Sequence, residues 1–344
     1  MNRSRTTILF VLLAVATVLL FMVDLAVGSV HLSLGDVWHG LWGSGSAEDA
    51  GSVGMIVRNF RLPKAIMALL AGAALSTVGL QMQTLFRNPL AGPYVLGVSS
   101  GASLGVALML LGLPLLGVSI SSPWVQSVGV AGAAWIGSAL IMVVVMAVTA
   151  RIKNIMTVLI LGMMFGSAAS ALVEIMQYLS PEGALKSYVV WTMGSLGGVT
   201  LSQLRIVIPV IVVGLVLSVL LIKPLNILLL GENYARTMGL NIKRARLMVT
   251  LTTVLLAGTI TAYCGPIGFV GLAVPHVARM MFREADHRVL VPATMLSGTT
   301  IMLLCDIASS VPSSDLTLPI NTVSALVGIP IVVVVIVRNR KMMM

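Results

Sequence analysis

LLLGENYARTMGLNIKRAR, residues 228–246, opens apolar, turns at Gly231, and then carries Glu232, Arg236, Lys243, Arg244 and Arg246. Apolar runs flank it at 203–222 and 247–263. Each is close to the length of about 20 residues that a helix needs to cross a hydrocarbon core. The segment between them is too polar to cross and reads as a connection on one membrane face. Composition alone makes it a solvated loop. The order of its residues says more: ENYARTMG has helical propensity, Gly239 is a natural helix C-cap, and Glu232 and Arg236 stand at the i,i+4 spacing of an ion pair.

The whole chain is of the same character as the flanks. Its 344 residues are 58% hydrophobic and 9% charged, against roughly 25% charged in a soluble domain. Such a chain cannot cover a water-facing surface, and the fold class expected is all-α, a polytopic membrane protein. Ten candidate spans follow from the apolar runs: 6–28, 62–85, 93–112, 125–149, 155–178, 203–222, 247–263, 267–282, 289–308 and 321–337. The third and eighth carry Gly92, Pro93, Gly97 and Gly101, and Gly268, Gly271 and Pro275. They are expected to be short, broken or partly re-entrant, which is tolerated where protein or a water cavity covers the backbone. The basic start and apolar stretch of the N-terminus suit a secretory signal, but the stretch is long and more spans follow, so a retained first helix is expected.

The net charge of +10 is not a nucleic-acid patch, because the basic residues fall in short clusters between apolar runs. With the N-terminus inside, the cytoplasmic segments hold Arg3, Arg5, Arg87, Arg151, Lys153, Lys223, Arg236, Lys243, Arg244, Arg246, Arg279, Arg283, Arg288, Arg338, Arg340 and Lys341. The external side keeps Arg58, Arg61, Lys64, Lys186 and Arg205, while Asp36, Glu48, Asp49, Glu182 and Asp315 also fall outside. This is a positive-inside bias, and an even number of spans puts both termini in the cytoplasm. The expected location is the bacterial cytoplasmic (inner) membrane. Cys264 and Cys305 lie in apolar surroundings and read as small buried hydrophobes. The four histidines lack ligand spacing, and no metal site is expected.

Beyond the coupling stretch GENYARTMGLNIKRAR, two longer stretches and one short one carry a family resemblance. RLPKAIMALLAGAALSTVGLQMQTLFRNPLAGPYVLGVSSGASLG at 61–105, WTMGSLGGV at 191–199 and CGPIGFVGLAVPHVARMMFREADHR at 264–288 resemble, in the right order, the permeases of type II ABC importers for ferric siderophores, haem and vitamin B12. The resemblance covers about residue 55 to the C-terminus. It implies a single permease domain over 1–344 with ten spans, a second permease copy in a homodimer, two ATP-binding subunits beneath, and an external substrate-binding protein. It makes 228–246 the segment that fits a cleft on the ATPase, on the matching positions Gly231, Glu232, Ala235, Met238 (often Leu in the family) and Gly239, with Arg236 stiffening the helix. The run Lys243–Arg246 faces either ATPase acids or lipid headgroups. No GxxxxGK[ST] loop occurs in the chain, so the chain is expected to be no enzyme. ATP and magnesium belong to the partner ATPase, and this chain is expected to bind no cofactor.

On the external face the resemblance makes Arg61 and Lys64, with Arg58 beside them, the residues that meet acids of the binding protein, where rim charges steer encounter and set orientation. The alternative is snorkelling side chains at the interface. The last external loop, CDIASSVPSSDLTLPIN, has Ser309 and Ser310 where some relatives carry a further base. The resemblance assigns spans five and ten and the short helix near Trp191–Gly198 to the pathway lining, with Glu174, Trp191, Met193 and Ser195 as candidates. The ionisable residues inside spans are Asp24, Glu174 and Asp306, all toward outer ends. A carrier driven by an ion gradient, the competing function, usually places its charges at midplane. Methionine, 22 residues, reads as packing, and His276 as structural.

Overall fold

The computed structural model describes residues 3–28, 30, 32–42, 51–118, 123–149, 155–310 and 317–343. Arg151, Lys153, Glu48, Asp49 and Asp315 lie outside them. Among the described residues there are helices and no strands. In chain order these are α1 Arg3–Ala26, α2 Leu34–Trp42, α3 Val53–Leu85, α4 Val98–Leu115, α5 Pro123–Thr149, α6 Ile155–Leu179, α7 Glu182–Met193, α8 Leu201–Leu220, α9 Ile222–Leu229, α10 Glu232–Thr237, α11 Ile242–Cys264, α12 Val270–Phe282, α13 His287–Ser310 and α14 Ile320–Met343. Eight are long and apolar enough to cross a membrane, and α12 and the 320–334 part of α14 are shorter apolar helices. These are the ten positions expected from the sequence.

The boundaries differ from expectation where polar residues start a helix. Helix runs into α3 from Gly51, eleven residues before the expected start, and α3 contains a wider π-helical turn at Val57–Arg61. α11 begins at Ile242 and so takes in Lys243, Arg244 and Arg246, which were expected to precede the span. The third span is broken as foreseen: Pro93–Leu96 forms a single 3₁₀ turn, Gly97 follows at φ 78°, and only then does α4 start. α2 was not foreseen. Ser33 caps it, its hydroxyl and backbone N–H both donating to the Asp36 carboxylate while the Asp36 N–H donates to the Ser33 hydroxyl. This reciprocal box satisfies the orphan donors of a helix start. Val37 is buried, whereas Leu34, Trp38 and Trp42, spaced four apart, are exposed. That is the aromatic face of an interfacial helix.

The chain forms two compact units, each built from separated segments. One comprises Met1–Thr77, Ser195–Pro209 and Gly268–Met344. In it α1 packs on α13, and α12 packs on α13 and α14. Leu13, Ala278, Phe282 and Ala293 make a core there, with the Phe10 and Phe282 rings 4.8 Å apart. Small residues bring the helices together, the usual device where lipid removes any hydrophobic drive between them. A Cβ on Gly72 would lie 2.2 Å from the carbonyl oxygen of Gly298, so the two backbones touch. Hydroxyls add polar links: Thr17 to Thr300 at 2.9 Å, and Ser76 donating to the Thr294 carbonyl at 3.0 Å.

The other unit comprises Val78–Gly194 and Val210–Ile267. α4 packs against α5 and α6, and the second half of α11 against α5. Its core gathers Ala102, Val106, Leu111, Ala134, Val173 and Tyr188. Ser138 donates to the Val98 carbonyl at 3.0 Å, the Trp135 indole to Thr259 at 3.1 Å, and Thr252 to Gln81 at 2.8 Å.

Candidate functional site: the coupling segment and the charged helix ends

The segment 228–246 is ordered largely by its own residues. α9 anchors it through Leu225 and Leu228, both buried. Gly231 then sits at φ 100°, where a Cβ would come 3.3 Å from a guanidinium nitrogen of Arg87. A side chain is thus opposed twice, by backbone conformation and by space. α10 follows for six residues, with Ala235 fully buried beneath it. It ends in a Schellman motif: Gly239 at φ 83° donates to the Arg236 carbonyl at 3.0 Å, and Leu240 donates to the Ala235 carbonyl at 3.0 Å. This closes two of the orphan carbonyls of a helix end. Asn241 caps α11, its side chain accepting from the Arg244 N–H at 3.1 Å.

Glu232 is the hub of this corner. It takes Arg236 as the i,i+4 pair at 3.7 Å, and its other oxygen accepts from Arg246. Arg246 therefore turns back onto the segment, and of the run 243–246 only Lys243 and Arg244 are left exposed. Both sequence alternatives for Arg246, ATPase acids or headgroups, give way to this internal pair. The outward surface of the segment includes Asn233, Tyr234, Arg236, Thr237, Met238 and Gly239, with Tyr234 and Met238 more than half exposed. Arg87, on the short link after α3, is a neighbour that sequence reading missed. Its separation of 144 residues from Gly231 leaves no local signal.

The three expected docking bases all turn inward. Arg58 donates from Nε to the Gly40 carbonyl at 2.7 Å and from Nη2 to Leu41 at 3.5 Å. Arg61 is 7% exposed and is not a rim charge. It donates to the carbonyls of Leu25 at 2.8 Å, Ala26 at 2.6 Å, and Val30. It thereby satisfies the carbonyls left open where α1 ends, and this requirement is what buries it. Lys64 pairs with Asp306 at 3.0 Å and donates to Ser310 at 2.8 Å. Asp306 is 1% and Asp24 6% exposed, and the two carboxyl groups are electrostatic neighbours. Asp24 and Asp306 were visible in the sequence only singly. Their meeting with Lys64 and Arg61 brings two acids and two bases from three helices to one end of this unit.

Of the pathway candidates, Glu174 on α6 and Met193 at the end of α7 are exposed, and Ser195 is exposed after it. Trp191 is half-buried against Tyr188, with ring centroids 6.1 Å apart. Its carbonyl lies where a Cβ of Gly265 would fall. Among the described residues no cluster of three or more His, Cys, Asp or Glu is placed to hold a metal.

Comparison with known proteins accords with this arrangement. The model of the FecCD transport family matches residues 16–338. The hemin transport system permease protein HmuU of Yersinia pestis is 34% identical over 325 residues, 94% of this chain and 95% of that protein. The vitamin B12 import system permease protein BtuC of Klebsiella pneumoniae is 35% identical over 313 residues, 90% of each. A solved structure described as an inward-facing conformation of a metal-chelate type ABC transporter superposes with a TM-score of 0.83. It is 29% identical and covers 96% of this chain and 99% of its own. The chain belongs to the FecCD transport family.

Proposed function

We propose that the chain is the membrane permease subunit of an ATP-driven importer, passing an iron chelate, haem or cobalamin from an external binding protein to the cytoplasm by alternating access. The observation that carries the reading is the form of 228–246. A six-residue helix is closed at its C-terminal end by the Gly239 and Leu240 N–H groups and held by Glu232 to Arg236 and Arg246. It keeps Tyr234, Arg236 and Met238 turned to solvent. A helix held this firmly transmits a push, which a solvated loop does not. The push comes from two separate ATP-binding subunits, where ATP and magnesium reside. The chain works as a homodimer in the bacterial cytoplasmic membrane, with both termini inside. Lys64 docks acids of the binding protein, and Glu174, Trp191, Met193 and Ser195 contribute to the pathway.

The test is uptake by proteoliposomes that contain the chain, its ATPase and its binding protein, with haem, cobalamin and a ferric siderophore as cargoes. Uptake of one cargo that requires ATP and is lost in Glu232→Arg, while the assembled complex persists, is the expected result. Uptake that continues without the ATPase would instead identify a carrier driven by an ion gradient.

A further inference from the structure

Three bases expected at the outer rim are committed internally, but not in the same way. Arg58 and Arg61 donate to backbone carbonyls, and pulling either away orphans the ends of helices. Lys64 is held only by side chains, the Asp306 carboxylate and the Ser310 hydroxyl. Its side chain remains 23% exposed while Asp306 is 1% exposed. Its stem runs past Gly197, where even a Cβ would stand 3.9 Å from Lys64 Cδ, so no side chain covers it from there. An ammonium on a flexible four-carbon stem re-aims its three donors readily, as a guanidinium fork does not. The grip on it is also incomplete. Asp306 Oδ2 is buried with no hydrogen-bond partner.

We propose that Asp306 is an internal competitor for Lys64: it holds the ammonium in the free permease and yields it to a carboxylate of the docking protein. The proposal rests on the docking reading given above. It assigns Asp306 and Ser310 a role in setting how tightly the binding protein is held, although neither touches it. Because a buried acid that loses its base is strongly disfavoured, the exchange keeps docking weak and reversible, as a component that must leave after delivering cargo requires.

The test has two readouts on the assembled transporter in lipid. The first is the rate at which a water-soluble N-hydroxysuccinimide ester of acetate modifies Lys64, followed by mass spectrometry, with exposed Lys186 as the internal reference. The second is the dissociation constant of the binding protein used in the uptake assay. In Asp306→Asn, Lys64 is expected to react several-fold faster. The binding protein is expected to dock on the order of tenfold more tightly, about 1.4 kcal/mol. Ser310→Ala, which leaves every charge in place, is expected to move both readouts the same way by less, and it decides the matter if Asp306→Asn does not assemble. Both gains in affinity should vanish in a Lys64→Ala background. If Lys64→Ala weakens docking but neither other variant tightens it, the competitor is overturned and the docking reading stands. If Lys64→Ala leaves docking unchanged, the docking reading of Lys64 fails, and the competitor fails with it.

Discussion

At the scale of single residues, Gly231 shows how a family signature becomes a physical requirement. Its φ of 100° is open to glycine at little cost, and the Arg87 guanidinium occupies the space a methyl group would need. Gly231→Ala is expected to destabilise the segment by about 1–2 kcal/mol from backbone conformation alone. Because the strain falls where α10 begins, ATP-driven uptake is expected to fall several-fold while the transporter still assembles. Hydrogen exchange over 228–246 checks the first effect, and faster exchange confined to that segment is the expected pattern. The glycine could be singled out in the sequence, as could the Glu232–Arg236 spacing, because both are local. Arg87 against Gly231, Arg246 on Glu232 and Asp306 on Lys64 could not be. Such contacts depend on which helix ends meet, and apolar periodicity carries no information on that.

At the scale of elements, the stretch before α12 is the most demanding. Residues 265–269 are not helical, Gly265 and Phe269 both take positive φ, and α12 itself has 13 residues. Irregular backbone at membrane depth survives only where other groups satisfy it. Here α14 supplies them from its first two turns. Asn321 accepts from the Gly268 N–H at 2.9 Å, and Ser324 donates to the Gly268 carbonyl at 3.2 Å. Asn321→Leu is of similar size but leaves that N–H without its acceptor. The expected cost is about 1–3 kcal/mol, read as a lowered midpoint of thermal unfolding in detergent. Asn321→Asp keeps an acceptor and should recover part of the loss. The glycines and Pro275 gave the sequence signal of a broken span here, as Pro93 and Gly97 did before α4. The helix that repairs the break lies some fifty residues on and could not be read. The early starts of α3 and α11 escaped for the opposite reason. Arg58 and Arg61, and Arg246, look like loop residues until carbonyls and a carboxylate are brought to them.

At the scale of the whole molecule, the number of crossings decides whether Lys and Arg clusters share one face. The count of ten depends on α12. Thirteen helical residues rise about 20 Å against a hydrocarbon core of about 30 Å. The non-helical residues 265–268 before them, at up to about 3.3 Å each, make up the difference if the chain continues across. A re-entrant hairpin would instead return the chain to the face on which α11 ended, inverting α13 and α14. The charge pattern argues for a full crossing: Arg283 and Arg288 follow α12, and Arg338, Arg340 and Lys341 close the chain, all on the face that a complete crossing makes cytoplasmic. Single cysteines placed at Arg236, Arg283 and Lys186, all exposed, test this in sealed, right-side-out vesicles after Cys264 and Cys305 are replaced by alanine. A membrane-impermeant maleimide is expected to label position 186 at once, and positions 236 and 283 only after the vesicles are opened. Labelling of 283 together with 186 would make α12 re-entrant and the crossings nine, and would place the basic C-terminus outside, against the charge rule that the rest of the chain obeys.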